Sequence, residues 1–357
     1  MKKVRLLVLG LAGVVSLALA SPALAERTLV VTPSDYIASG AGTNTIEIAQ
    51  ADSDAPLAKV TLYAPVGYGS LLNEAPGATI GQVSAVVVIK ALAGAKVPVT
   101  GAIQVDDPGK YTSDQAAVAC AGAVRHDAVW LLRLSLQGQA LDVPMYVDRV
   151  TQGPETGFAA FRMQVCFRSP DIPVAQGGQP NGVTPISARI ALERTFSNPS
   201  TNGTYTWRAV FLPYTPGTGN VNVAGAVEAR SLIQLPTQLT IKGSKVKRKV
   251  GKRTFTYAQL SGNITRVGVG VSGLNVRVLK NGKLVATVKS RAGGAWSVRI
   301  RITGRSVVTF SAQVVVPVAR VDAAGCAGAV APPAARCESA TAAPASVKSR
   351  GTFRIRP

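Results

Sequence analysis

Short runs of alternating apolar and polar residues, separated by Gly, Pro, Asn and Asp, extend through most of the chain after its first 25 residues. Alternation with a period of two is typical of β-strands, and no long stretch has the period of a helix. The pattern therefore predicts an all-β protein. Before residue 237 it predicts strands or hairpins over 28–32, 45–49, 58–65, 84–92, 129–148, 158–167, 189–196, 204–214 and 227–236.

Two of these runs carry more specific predictions. Residues 84–92, SAVVVIKAL, are more continuously apolar than the other runs, which predicts a strand buried on both faces. Periodicity alone does not exclude a helix here. Residues 129–148 predict a hairpin that turns at 137–139, where Gln, Gly and Gln interrupt two β-rich runs.

The first 25 residues have the composition of a secretory signal peptide. Lys2, Lys3 and Arg5 precede an apolar stretch from 6 to about 20, and Ala23-Leu24-Ala25 ends it with the small residues that signal peptidase accepts. A membrane anchor is the alternative, but the stretch is shorter than the roughly 20 residues of a bilayer span. We expect a secreted protein, extracellular or associated with the cell envelope, without a transmembrane anchor in its mature chain.

The sequence has four cysteines, Cys120, Cys166, Cys326 and Cys337. An exported protein meets an oxidising compartment, where cysteine pairs persist as disulfides. Three pairings are possible, and proximity in the sequence favours Cys120 with Cys166 and Cys326 with Cys337. A zinc site is the alternative, but no C-x-x-C spacing supports it.

The positive charge of the chain is concentrated in its last third. Residues 236–357 contain 22 Lys and Arg but only two acidic residues, a net charge of +20, whereas residues 26–235 contain 14 basic and 16 acidic residues, a net charge of −2. Such asymmetry indicates interaction with polyanions or a solubility role rather than a particular fold.

The basic third also has strand patterns. In KVKRKVGKR, residues 245–253, Lys245, Lys247 and Lys249 share one face of a predicted strand. Asn281-Gly282 stands between two β-rich runs and predicts a type I′ hairpin. After Gly293-Gly294, a strand is predicted whose inward side chains are Trp296, Val298, Ile300 and Ile302 and whose outward side chains include Ser297, Arg299 and Arg301.

The segments GKRTFTYAQLSGNIT, GLNVRVLKNGKLVATVKSRAGGAWSVRI and VVTFSAQVVV, with a final strand TFRIRP, resemble bacterial Ig-like and carboxypeptidase-regulatory-like β-sandwich repeats of secreted proteins. The resemblance covers about residues 237–316 and 352–357. It implies a spacer, stalk or adhesive module without catalytic residues. The chain departs from such repeats by inserting CAGAVAPPAARCESATAAPASVKS between the last strands.

A polyanion-binding surface is predicted from the exposed positions of this module. Specific binders of single-stranded nucleic acid add exposed aromatic rings, whereas the pattern directs Phe255, Tyr257, Trp296, Phe310 and Phe353 mostly toward the core. We therefore expect no specific nucleic-acid partner. The predicted polyanion-binding residues are Lys245, Lys247, Arg248, Lys249, Lys252, Arg253, Arg299, Arg301, Arg354 and Arg356.

Candidate catalytic and metal-binding residues are few. His126 is the only histidine, and we expect it at the surface rather than as a general base. Asp52 and Asp54 could ligate calcium, but a solvated loop is favoured because no third carboxylate is close in sequence. Two carboxylates suffice for glycoside hydrolysis, yet most candidates stand beside turn residues. The candidates are Asp106, Asp107, Asp114, Asp127, Asp142 and Asp148.

Together these observations predict tandem antiparallel β-sandwich (Ig-like) domains after a signal peptide: 1–25 as the signal peptide, 26–235 as one or two disulfide-stabilised domains, and 236–357 as a basic module. We expect an exported, non-enzymatic structural or binding protein without a cofactor or metal, held at an anionic envelope polymer or surface by the module. The alternatives are a polysaccharide hydrolase with an accessory envelope-binding module and a plain spacer or stalk.

Overall fold

The computed structural model describes residues 27–36, 39–70, 72–122, 124–136, 138–201, 203–235, 237–266, 268–304, 306–316, 320–321, 336–337, 340–342, 345–349 and 351–356. The predicted signal peptide, Pro236 and Cys326 lie outside these residues. None of the described helices is long and apolar enough to cross a membrane.

Strands are the main secondary structure of residues 28–235. The strands are β1 (Thr28–Pro33), β2 (Thr43–Ala49), β3 (Leu57–Pro65), β4 (Gly69–Ser70), β5 (Thr79–Ile89), β6 (Ala95–Asp106), β7 (Ala128–Leu136), β8 (Gln139–Arg149), β9 (Ala159–Cys166), β10 (Val183–Glu193), β11 (Phe196–Ser197), β12 (Gly203–Pro213) and β13 (Val227–Leu235). The one α-helix among the described residues is α1 (Gln115–Ala121). Short 3-10 turns cover Lys90–Leu92, Pro108–Tyr111, Pro154–Gly157, Val174–Gln176, Pro180–Gly182, Val223–Gly225 and Ala292–Gly294.

Eleven of these strands form one antiparallel sheet in the order β1-β2-β10-β5-β6-β7-β8-β9-β3-β12-β13. Its two ends meet, because β1 lies beside β13 and the backbone N–H of Val31 donates to Oγ of Ser231 at 2.9 Å. The sheet therefore nearly closes on itself, and we call it the closed sheet.

The interior of the closed sheet is apolar. Phe211 lies opposite Val60, Val60 opposite Val165, and Val165 opposite Met145. Directly opposite residues share one face of a sheet, and all four side chains are buried. The apolar positions of the alternating pattern thus align as a row of inward side chains across four strands.

The structure corrects the prediction for residues 84–92. The strand is confirmed, since β5 runs to Ile89 and a 3-10 turn follows. Burial on both faces is wrong, because Val86 and Val88 are half-buried and Leu92 is 47% exposed. The opposite strand, β6, escaped prediction because Lys96, Gly101 and Gln104 dilute its apolar pattern.

The remaining strands are β14 (Thr237–Leu239), β15 (Lys242–Val250), β16 (Arg253–Arg266), β17 (Val269–Gly270), β18 (Asn275–Lys280), β19 (Lys283–Lys289), β20 (Ala295–Ile302), β21 (Val308–Val316), β22 (Arg320–Val321), β23 (Arg336–Cys337), β24 (Ala340–Ala342), β25 (Ala345–Lys348) and β26 (Phe353–Ile355). Strands β14 and β15 pair with one edge of β16, and β20 and β17 pair with the other. A second sheet has the order β19-β18-β21, with β25 and β26 paired to β21.

These two sheets share one apolar core, a sandwich-like packing that we call the two-sheet unit. Leu260 and Trp296 from the first sheet and Val278, Phe310 and Val314 from the second are all buried. The predicted inward direction of Trp296 and outward direction of Arg299 and Arg301 on β20 are confirmed.

The predicted hairpin at Asn281-Gly282 is confirmed, because both residues have positive φ, 47° and 80°, and join β18 to β19. The final strand is also present as β26. The insertion before it reaches the closed sheet: β23 and β24 pair in parallel with β13.

The all-β class is confirmed. Tandem Ig-like sandwiches and the boundary at about residue 236 remain predictions. The nearly closed sheet is built mainly of strands before that boundary and the two facing sheets of strands after it, while β22, β23 and β24 lie after the boundary but join the sheet of β13.

Candidate polyanion-binding surface

The ten predicted polyanion-binding residues lie on β15, β16, β20 and β26 or next to them, and we call them together the basic surface. All ten are exposed. The described residues from 237 to 356 contain no Asp or Glu, and none of the ion pairs among described residues involves the basic surface. Its positive charge therefore has no carboxylate partner within the described chain.

Six residues of the basic surface form two parts on opposite sides of the first sheet, in which β15 is an edge strand, because successive side chains of a strand alternate between its faces. Lys245 lies opposite buried Ala258, and Lys247 lies opposite Thr256, which faces buried Ile302. These lysines, with Lys249, therefore point to the inner side of the sheet at its open edge, and we call the three the lysine edge. Inward-pointing charges on an edge strand oppose pairing with another chain.

The C-terminal strand lies next to the lysine edge. The Nζ of Lys245 donates to the backbone oxygen of Arg356 at 3.0 Å, and Phe353 packs beside Gly243. Arg354 points outward from β26. Tertiary structure thus brings together two clusters of basic residues that are more than 100 positions apart in sequence.

The other part lies on the outer side of β15, β16 and β20, and we call it the outer face. Val246, Tyr257 and Arg301 form one cross-strand row, and Gln259 and Arg299 belong to the next. The Nε of Arg299 donates to Oε1 of Gln259 at 3.0 Å. This hydrogen bond orients the Arg299 guanidinium along the sheet.

Aromatic rings accompany the arginines on the outer face, which corrects a prediction. The guanidinium of Arg301 stacks 4.0 Å above the ring of Phe255, which lies opposite Arg248. The prediction that Phe255 and Tyr257 face the core is wrong. The buried positions of β16 are the even-numbered ones, such as Ala258, so the odd-numbered rings face outward.

The other three rings follow the prediction. Trp296 and Phe310 are buried, and half-buried Phe353 packs against the core. At the tip of the β15–β16 hairpin, exposed Lys252 and Arg253 follow Gly251, whose φ of 61° suits a tight turn.

The structure contains the disulfide Cys120–Cys166, with 5.8 Å between the two Cα atoms. It joins the end of α1 to the end of β9, and the Nζ of Lys59 donates to the backbone oxygen of Cys120 at 2.7 Å. The second predicted disulfide, Cys326–Cys337, stays a prediction. Cys326 lies outside the described residues, and only the backbone of Cys337 is described, in β23.

His126 is 3% exposed, so the prediction of a surface histidine is wrong. Its Nδ1 lies 3.0 Å from Oδ1 of Asp148, and its ring packs against Tyr146. Burial by itself raises the pKa of Asp148, but the hydrogen bond from His126 and the charge of Arg162 outweigh it and hold that pKa below its usual range. No sequence signal links His126 to Asp148, because the two meet only through the pairing of β7 with β8.

Most other acidic candidates stabilise local structure. Asp107 accepts from the N–H of Gly109, and Asp114 caps α1 by accepting from the N–H of Ala117. Asp127 accepts from the backbone and the guanidinium of Arg149. Asp142, by contrast, lines a cavity of the closed sheet together with Asp114.

The possible calcium loop is a turn. Asp54 accepts from the N–H of Ala51, and Asp52 forms an ion pair with Lys96. Within the part of the chain that the structure describes, no group of three or more His, Cys, Asp or Glu side chains could hold a metal ion.

No protein-family model matches the chain, and a search of curated proteins finds none similar to it.

Proposed function

We propose that the protein is an exported, non-enzymatic binding protein that associates with anionic polymers of the cell envelope through its basic surface. One observation carries this proposal: ten exposed cations lie on one two-sheet unit, and none forms an ion pair with a described carboxylate. Their charge is therefore open to an external anion.

The chemistry of the surface suits phosphate or carboxylate groups. Arginine presents a planar fork of donors that binds these groups through two parallel hydrogen bonds, whereas lysine acts as a compact charge. The outer face supplies three arginines, Arg248, Arg299 and Arg301, and the lysine edge supplies point charges beside them. We infer that a linear polyanion lies across β15, β16 and β20.

An Ig-like character of residues 236–357 belongs to this proposal. Two facing sheets with a common core and the β18–β19 hairpin support it, as does the sequence resemblance. A module of this kind presents its sheet face and loops to a partner while its core stays closed.

Retention of the mature chain on isolated cell envelopes across a salt series tests the proposal. Binding is expected at low salt and release as salt rises, because counterions compete for the polymer. Replacing Lys245, Lys247 and Lys249 together by Gln is expected to reduce the steepness with which the logarithm of the binding constant falls with log salt by about 2. This value assumes that each lost contact contributes roughly 0.7–0.9, as on nucleic acids.

A matched control removes the same charge from residues 28–235, which contain the closed sheet. Arg125, Arg133 and Arg194 are exposed, and their replacement by Gln is expected to leave retention nearly unchanged. Equal losses in both triple variants would show that net charge, rather than the basic surface, controls retention. No retention of the wild-type chain at any salt concentration would refute the proposal and favour the spacer.

A second candidate is a polysaccharide hydrolase, because Asp114 and Asp142 line one cavity. One carboxylate oxygen of Asp114 accepts the hydrogen bond that caps α1, so Asp142 is the better candidate for a catalytic carboxylate. Release of reducing ends from envelope polysaccharide by the wild-type chain, abolished in Asp142→Asn, would favour the enzyme over the binding protein.

A further inference from the structure

The width of the closed sheet creates a space that its own side chains do not fill. A closed sheet of about eight strands has an interior just wide enough for side chains, and the diameter grows with strand number. The closed sheet has eleven strands. Its interior must therefore be filled by unusually large side chains or remain partly empty.

One end of the interior is filled by aromatic rings. Phe196 lies at the centre, with ring centroids 6.0 Å from Trp130, 5.7 Å from Phe161 and 5.5 Å from Trp207. Tyr68 packs edge-on against Trp207 at 5.2 Å. All five rings are buried, so this end forms a closed core.

At the other end lies a partly open cavity of about 920 Å³, within the roughly 300–1,000 Å³ of small-molecule sites. Its lining is mainly aliphatic and includes the inward positions Ile48, Val60, Ala85, Leu132, Leu141 and Val143. Two of the smallest side chains, Ala85 and Ala188, lie directly opposite each other on β5 and β10. Several lining side chains, among them Ile48 and Val143, stay half-buried because no described residue covers them from inside.

A slot between β8 and β9 opens this cavity. The pairing of the two strands stops at Met145 opposite Val165, so residues 139–144 of β8 pair with β7 alone among the described strands. Residues outside the strands, including Tyr111 of a 3-10 turn and Ala119 of α1, line the same cavity. The Cys120–Cys166 disulfide holds α1 at this position.

Several polar side chains line the cavity, among them Gln50, Lys59, Asp114 and Asp142. Gln50 is 9% exposed, and its Nε2 donates to the backbone oxygen of Pro185 at 3.0 Å. That carbonyl can only accept, so the amide orientation is fixed, and Oε1 of Gln50 is buried without a hydrogen-bond donor among the described atoms. Buried acceptors are normally satisfied, so this oxygen has capacity to accept from a ligand donor.

Lys59 lies opposite Cys166, on the side of the sheet that carries α1, and lines the same cavity. Only one of its three ammonium donors is accounted for by the 2.7 Å hydrogen bond to the backbone oxygen of Cys120. Burial, with a smaller contribution from the charge of Arg162 and against that of Glu155, lowers the pKa of Lys59 to about 8. The side chain is therefore still mostly a cation at pH 7, next to an apolar cavity.

We propose that this cavity binds a single-chain amphiphile, with its aliphatic chain inside the closed sheet and a small carboxyl or hydroxyl head group at the polar side chains. Lys59 would pair with a carboxylate, and Oε1 of Gln50 would accept from a hydroxyl. This site is independent of the basic surface, which lies on the two-sheet unit.

Titration of the mature chain with cis-parinaric acid, whose fluorescence rises in an apolar site, tests the proposal, with palmitate and hexadecanol as competitors. We expect saturable binding and displacement by at least one competitor. Replacing Ala85 and Ala188 by Leu narrows the cavity and is expected to weaken binding at least tenfold. Val66→Leu, a 49% exposed position outside the lining, is the matched control and should bind as the wild type does.

The head group is tested separately. Lys59→Gln is expected to weaken palmitate binding at least fivefold more than hexadecanol binding, and Gln50→Leu is expected to weaken hexadecanol more than palmitate. Melting temperatures identify variants that fail to fold. If the double variant fails to fold, the single variant Ala85→Leu is used in its place. Absence of saturable binding by the wild-type chain, or unchanged binding by a folded narrowed variant, would overturn the site. Equal losses for both competitors would overturn the head-group assignment.

Discussion

The closed sheet and the two-sheet unit use charged side chains in opposite ways. Across β8, β9, β3, β12 and β13 one register row consists of Asp148, Arg162, Tyr63, Arg208 and Arg230. Carboxylates neutralise this row from within the same region. Residues 236–357, which contain the two-sheet unit, have 22 basic residues, and the described ones among them include no acidic residue.

This difference separates charges that stabilise the fold from charges that face a partner. A buried ion needs a neighbouring counter-ion because desolvation is costly, and Glu228, 1% exposed, supplies it to Arg208 and Arg230. An exposed ion stays hydrated and contributes little to stability. We therefore expect the closed sheet to depend on its charges and the two-sheet unit to tolerate their removal.

The largest expected effect comes from Glu228→Gln. Removing this carboxylate deletes the two buried ion pairs that Glu228 forms with Arg208 and Arg230, which is expected to cost about 3–5 kcal/mol of unfolding free energy. Urea unfolding at pH 7 measures it. Replacing the three residues of the lysine edge by Gln should change the same free energy by less than about 0.5 kcal/mol; similar losses in both variants would erase the contrast.

The next effect comes from the disulfide of the closed sheet. Cys120 and Cys166 are 46 positions apart, so loss of the crosslink in the double Ser variant is expected to cost about 3–4 kcal/mol by loop-closure entropy. Urea unfolding under non-reducing conditions provides the measurement. An unchanged midpoint would mean that α1 and β9 hold their positions without the bond.

The smallest of the three effects is pH-dependent. Asp148 has a lowered pKa in the folded protein, so its contribution is present above about pH 4, the unfolded value, and is lost as pH falls through the folded value. Asp148→Asn is expected to cost about 1.5–3 kcal/mol at pH 7. The unfolding free energy of the Asp148→Asn variant should fall less steeply below pH 4 than that of the wild type. Parallel curves of unfolding free energy against pH would show that Asp148 makes no such contribution.

Local elements could be predicted from the sequence because their signals are local. Alternation identified most strands, and Asn281-Gly282 identified a hairpin, since positive φ at both residues is a property of those residues. The closed sheet could not be predicted, because pairings such as β2 with β10 and β3 with β12 join strands about 140 positions apart.

The same reasoning applies to the candidate sites. The basic surface was predictable as a set of residues, because charge and period follow directly from residue identity. Its division into an outer face and a lysine edge was not, and Phe255 was assigned to the wrong side because the phase of β16 depends on its register with β20.

Taken alone, the sequence determined the β-rich local structure, the concentration of positive charge after residue 235 and the presence of cysteines suited to crosslinking. Tertiary structure decided which distant strands pair, and hence the burial of His126 and the width of the closed sheet. The physical reason is that strand propensity and charge belong to single residues and their neighbours, whereas burial and cavity size depend on contacts that exist only after long-range pairing.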